Sequence, residues 1–247
     1  MKIAVVIPTQ KAELTENEIK TIKVLEQRLP GIYKYCITPS EVENKSIYDY
    51  WQDKENHFFL QYDKWHGTLD EYNQMCLSPD FYRLFIDYDY IFIHQTDAVI
   101  LGQEQDLYDF CDMGYDYYGA PFGNEDNQGY WVARHCFPER GIDFVKRHIG
   151  LSRRLVVGNG GVSLRRINST IHVLEKYQSR LPRWFDDAYE DIVLSWLATY
   201  DKAYKVAPME VATLFAKDNV MFDLDNPPFA AHGKFVLKDE FWENNSI

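Results

Sequence analysis

Ile3-Ala4-Val5-Val6-Ile7 is a short run with no polar residue, rich in β-branched side chains and closed by Pro8-Thr9. A half-buried strand would alternate apolar with polar, so an unbroken run reads as a strand buried on both faces, in a sheet covered by helices. A helix follows. Thr15 and Glu18 stand at the spacing of a capping box, and Ile19, Ile22, Leu25 and Leu29 then recur at helical intervals until Pro30-Gly31. Strand, loop and helix open a βαβ unit. Residues 33–37 and 57–62 read as the next two strands, and 69–77 as a helix stopped at Ser78-Pro79.

Tyr90-Ile91-Phe92-Ile93-His94 is a second run of the same kind, with Gln95-Thr96-Asp97 at its carboxyl end. Open α/β sheets bind ligands in the crevice beyond the carboxyl ends of their strands, which makes this turn a candidate binding position. Residues 115–121 predict another strand, and 122–138, rich in Gly, Asn, Tyr and Trp without periodicity, predict a long loop or lid. Gly158-Asn159-Gly160-Gly161 has two readings. Asn-Gly between apolar runs is a hairpin signal, whereas bare backbone lets a flat ligand lie close, with Asn159 and nearby amides donating to its hydroxyls. A helix over 169–178 follows, and a second one after Asp186-Asp187 carries Ile192, Val193, Trp196 and Leu197 on one side.

Asp plus Glu number 38 against 26 Lys plus Arg, a net charge of −12, which repels nucleic acid and anionic bilayers. The 18 Tyr, 15 Phe and 6 Trp exceed what a disordered chain carries, so a packed core with an aromatic-lined cleft is expected. Cys36, Cys76, Cys111 and Cys136 form no CxxC and no short loop, which argues against a disulfide scaffold or structural zinc. The first apolar run is too short for a signal sequence and no window approaches a membrane helix. The expectation is a cytoplasmic protein of a reducing compartment, peripheral at most to the inner face of a membrane, with no transmembrane segment.

Four features carry chemistry. Asp97 at a strand end can hold a divalent cation, although a lone Asp more often satisfies loop amides. Glu190-Asp191 opens a helix, where carboxylates complement the positive helix end; four acids within 186–191 exceed that need, and the helix field should keep Asp191 ionised, as a general base requires. His232, between Ala231 and Gly233, proves little alone.

In the order strand-end Asp, Gly-rich turn, acidic helix start and late His, these features resemble glycosyltransferases of the GT-A fold. The likeness is closer to an uncharacterised, mostly bacterial family of predicted glycosyltransferases. The matching stretches are Tyr72-Asn73, Phe81-Tyr82, 90–98, 115–121, Gly158 to Arg165, Glu190-Asp191-Ile192 and His232-Gly233. The resemblance implies a single Rossmann-like GT-A domain over 1–247, with 1–100 as the nucleotide-binding half and 101–247 as the acceptor-side half. It implies transfer of a sugar from a nucleotide-diphosphate sugar to a glycan or other hydroxyl acceptor, metal-assisted and inverting.

Asp97 falls on the last position of the Asp-x-Asp motif that binds Mn2+ or Mg2+ in such enzymes, and His232 on the late metal-binding histidine. The first position is Gln95, a departure that bears on how strongly a cation binds. Glu190-Asp191-Ile192 resembles a motif whose Asp is the base, which gives Asp191 that role with Glu190 beside it. Thr9, Gln95, Asp97, Asn159, Gly160 and Gly161 would meet the nucleotide sugar. Trp184 and Tyr130-Trp131 are candidates for stacking on the acceptor. Two other functions compete. A sugar nucleotidyltransferase would carry a glycine-rich basic loop after the first strand, which 8–13 lacks, and a non-catalytic glycan-binding module would tolerate Gln95. A hydrolase finds no Gly-x-Ser-x-Gly.

Overall fold

A computed structural model of the chain describes residues 1–51, 55–121, 157–181, 189–219, 222 and 225–244. The expected lid over 122–138 with Tyr130 and Trp131, and the segment holding Trp184 and Asp186-Asp187, lie outside the described residues.

The strands are β1 (Ile3–Pro8), β2 (Tyr33–Pro39), β3 (His57–Tyr62), β4 (Tyr90–His94), β5 (Ala98–Ile100), β6 (Tyr117–Pro121), β7 (Val157–Arg166), β8 (Ala216–Asp218) and β9 (Ala230–His232). The helices are α1 (Glu16–Arg28), α2 (Lys45–Trp51), α3 (Leu69–Cys76), α4 (Pro79–Arg83), α5 (Glu104–Asp112), α6 (Ile167–Tyr177), α7 (Glu190–Tyr200), α8 (Met209–Phe215) and α9 (Asp239–Asn244). The main sheet has the order β3-β2-β1-β4-β7-β6. Its first four strands are parallel, and β7 runs antiparallel to both β4 and β6. The α/β class and the largely parallel sheet follow the sequence; the second sheet, β5-β9-β8, does not show in it.

Both faces of the main sheet are covered, which accounts for the unbroken apolar runs. Ala4, Val6, Ile91 and Ile93 pack with Tyr72, Phe81, Leu174 and Leu197 from the helices of one face. Val5, Ile7 and Phe92 pack with Ile22, Leu25, Trp51 and Phe110 on the other. No helix among the described residues is long and apolar enough to cross a membrane. Cys36, Cys76 and Cys111 are free and buried, and burial pushes each thiol up to about 12.

The capping box of α1 forms as expected and does more than cap. Thr15 accepts from the Glu18 N–H, and the Glu18 carboxylate accepts from the Thr15 N–H at 3.0 Å. The same carboxylate also receives the Thr96 hydroxyl at 2.5 Å and the Lys11 ammonium at 2.7 Å. Thr21 adds a bond to the Thr96 carbonyl at 2.9 Å. Burial opposes the charge on Glu18, but these donors outweigh it and hold the carboxyl below its usual value. The start of α1 is therefore tied to the turn that carries Asp97.

The Gly-rich segment is not a hairpin. It lies inside β7, where Gly119 of β6 faces Ser163 and the next residue, Ala120, faces Asn159. Residues 160–162 bulge from that ladder while β7 stays paired to β4 through His94 and Val162. A bulge turns backbone N–H groups away from the sheet, and bulges favour positions beside functional sites.

Glu18→Ala is expected to cost more than the about 1 kcal/mol of an ordinary lost cap, because it also strips a partner from the buried Thr96 hydroxyl. Urea unfolding of the variant and its parent checks this.

Candidate functional site

A cleft of about 280 Å³ opens where β1 and β4 end, lined by Thr9, Lys11, Trp65, Tyr72, Gln95 and Asp97 among others. That volume falls just below the about 300 Å³ at which small-molecule sites begin. Thr9, Gln95 and Asp97 thus come together as the sequence predicts. Thr9 is buried and its hydroxyl accepts from the Lys11 N–H at 3.2 Å.

His232 enters from β9. Its Nε2 stands 3.1 Å from an Asp97 oxygen and 3.1 Å from the Gln95 amide oxygen. Its Nδ1 lies 2.8 Å from the Asp218 carboxylate on β8, directly across the β8–β9 pairing. Burial disfavours the imidazolium, but Asp218 and then Asp97 outweigh it and lift the histidine to about 9. For Asp97, burial raises the carboxyl, but the His232 hydrogen bond and charge, with a backbone hydrogen bond and the His94 charge, together outweigh it and leave the carboxyl below its ordinary value. A side chain at Gly161 is impossible here: a Cβ would stand 2.2 Å from His232 Nε2. The Gly161 carbonyl accepts from the Gln95 N–H at 2.9 Å, which locks bulge and turn together.

Asp191 does not line the cleft. It lies behind the neighbouring glycine, its Oδ2 accepting from the Gly160 N–H at 3.0 Å and its Oδ1 from the Ile192 N–H at 2.7 Å. Glu190 is buried beside it, paired at 2.7 Å with Arg165, which is wholly buried on β7. A Cβ at Gly160 would stand 2.4 Å from the Glu190 carboxylate. Burial, and then the adjacent Glu190 charge, push the Asp191 carboxyl well above its ordinary value. The expectation that the helix start keeps Asp191 ionised therefore needs correction: desolvation dominates. A raised value suits a base, since proton transfer is most efficient near the working pH.

Asn159, Gly160 and Gly161 were expected to donate to a ligand. In the structure the Gly160 N–H serves Asp191, and the Gly161 N–H goes to Asn159 Oδ1 at 3.1 Å. The segment works as an internal brace. Asp218 and Arg165 were missed as functional neighbours. Asp218 leaves no sequence signal, and Arg165, which alternates with Val162 and Leu164 like Ser163, reads as an outward-facing strand residue, so its burial is not legible either.

Among the described residues, no cluster of three or more His, Cys, Asp or Glu stands ready for a metal ion. A smaller set of polar atoms meets at His232. An Asp97 carboxylate oxygen and the Gln95 amide oxygen each stand 3.1 Å from His232 Nε2, and Asp218 backs the imidazole as carboxylates back metal-binding histidines. Those residues fit a hard divalent cation.

The family described as "Protein of unknown function (DUF5672)" matches residues 45–232. This chain belongs to the DUF5672 family. No curated protein matches it. Solved structures resemble this DUF5672 chain in fold. Mouse xyloside xylosyltransferase 1, in its apo form, superposes with a TM-score of 0.59 at 11% identity, covering 94% of this chain and 98% of that one. The galactosyltransferase LgtC, in complex with donor and acceptor sugar analogs, gives 0.57 at 15% identity, covering 93% and 86%. The glycosyltransferase GlyE of Streptococcus pneumoniae gives 0.51 at 16%, covering 94% and 54%. The DUF5672 chain thus has the fold these transferases share.

A carboxyl raised by burial destabilises the folded state once it ionises. Asp191→Asn is therefore expected to be more stable than the parent at pH 8, with the gap closing as pH falls below about 4, where the aspartate is protonated folded and unfolded alike. Thermal unfolding across that range checks it.

Proposed function

We infer that this DUF5672 protein is a glycosyltransferase that moves a sugar from a nucleotide-diphosphate sugar to an acceptor hydroxyl. One observation carries the reading. The adjacent Gly160 and Gly161 touch a half-buried carboxylate with a raised value on one side and the His232–Asp97 pair of a strand-end cleft on the other. A base and a seat for a charged leaving group are what an in-line displacement at an anomeric carbon needs. The likeness to transferases that act on sugars supports it, as does the order of the motifs along the chain.

Thr9, Lys11 and Gln95 would bound the nucleotide, and Asp97, His232 and Gln95 would hold Mn2+ or Mg2+, with Asp218 orienting the imidazole. When bound, that cation would neutralise the diphosphate. Asp191, ionised, takes the proton from the acceptor oxygen as it attacks, and Glu190, paired to Arg165, stays beside it as a fixed charge. An attack from the face opposite the leaving group inverts the anomeric centre. Residues 1–100 serve the donor and 101–247 the acceptor. The glycan-binding and nucleotidyltransferase readings have no comparable use for a half-buried carboxylate with a raised value.

Incubation with a panel of nucleotide-diphosphate sugars and Mn2+, followed by mass spectrometry for free nucleotide diphosphate, tests the reading. At least one donor is expected to be cleaved, and Asp191→Asn is expected to lower transfer on the order of 10²- to 10⁴-fold. No cleavage of any donor, or unimpaired transfer by the variant, would overturn it.

A further inference from the structure

Arg165 is a wholly buried cation with every edge of its guanidinium engaged. Its Nε donates to Ser163 Oγ at 2.9 Å, its Nη1 to the Tyr82 hydroxyl at 3.1 Å and its Nη2 to Glu190 at 2.7 Å. The plane also lies over the Tyr117 ring, 5.5 Å from its centroid. Tyr82 is anchored in turn, its hydroxyl donating to the Cys76 carbonyl at 2.8 Å. A buried ion pair is seldom the most stable filling for a core, since desolvation offsets much of the attraction, so stability alone does not account for this one.

Its position does. The Glu190 carboxylate occupies the space a side chain at Gly160 would need: a Cβ there would stand 2.4 Å from it and 3.0 Å from Arg165 Nη2. The N–H of that same glycine holds Asp191. We propose that Arg165 is a positioning residue for Asp191, pinning Glu190 against Gly160 so that the Gly160 N–H stays aimed at the Asp191 carboxylate. The inference rests on the reading of Asp191 as the base, and adds to it a residue that touches neither substrate nor the reacting atoms.

The charged and titratable groups facing this carboxylate are Glu190 on its own helix, Arg165 on β7 and Tyr117 on β6. Tyr82 on α4 and Tyr72 and Cys76 on α3 face Arg165 and Glu190 behind them. Loosening Arg165 releases the Gly160 donor and leaves Glu190 less neutralised, and both changes favour a protonated Asp191.

The test reads that proton without turnover. The difference in unfolding free energy between each protein and its Asp191→Asn form is followed from pH 4 to 9, in the parent and in Arg165→Lys, which keeps the charge and loses the fork. That difference grows from about pH 4, where the unfolded aspartate ionises, and levels off where the folded one does; the pH at which it levels off, the folded midpoint, is expected to move up by about one unit, a tenfold gain in proton affinity. Glu190→Gln added to Arg165→Lys is expected to bring it back down. Should Arg165→Lys not fold, Tyr82→Phe, which removes the acceptor of Nη1 along with the bond to the Cys76 carbonyl, is expected to shift the midpoint in the same direction. In transfer assays the acidic limb of kcat/KM follows the midpoint and kcat falls at least about tenfold, while donor KM holds. An unmoved midpoint overturns the proposal, since an arginine that merely fills space would lower stability equally at every pH. A moved midpoint in a protein whose parent cleaves no donor upholds the positioning role and sinks the transfer reading alone.

Discussion

Two adjacent positions of β7 admit no side chain, and the site is built around that constraint. At Gly160 the space a Cβ would fill belongs to Glu190 and Arg165; at Gly161 it belongs to the His232 ring. The two glycines face different partners because β7 bulges from its ladder with β6 while staying paired to β4. Helix α7 can then approach the strand from one side and β9 from the other. Remove the bulge, and the acidic helix start and the late histidine have no common element to meet on.

The buried charges divide accordingly. On one side Arg165 and Glu190 neutralise each other, and Asp191 is left as the carboxylate whose ionisation burial opposes. On the other, His232 lies between Asp97 and Asp218, each member supporting the charge of the next. The first arrangement leaves a carboxyl with a raised value; the second sets an imidazole between two carboxylates at the cleft.

The sheet was legible in the sequence because burial on both faces leaves a plain signature: Ile3 to Ile7 and Tyr90 to Ile93 have no polar residue to hide. The α1 boundary was legible for an equally local reason, the Thr15–Glu18 box. The bulge was not, since Asn-Gly with flanking glycines serves a hairpin or a bulged strand alike, and the choice is made by β4 and β6. The candidate residues 97, 190, 191 and 232 could be singled out by type and motif order, but not their partners. Asp218 meets His232 only through the parallel pairing of two three-residue strands, a long-range contact that leaves no periodicity. The raised Asp191 carboxyl likewise depends on Glu190, Arg165 and the depth of burial, whereas helix position alone argues the other way.

The double duty of Glu18 joins two parts of the molecule that the chain keeps 78 residues apart. A capping carboxylate usually lets the first turn of its helix fray without consequence elsewhere. Here fraying of α1 would release Thr96, and with it the turn that presents Asp97. Breathing of a surface helix and widening of the cleft mouth become one motion, so the amide protons of residues 18–19 and 97–98 should exchange with solvent on a common clock.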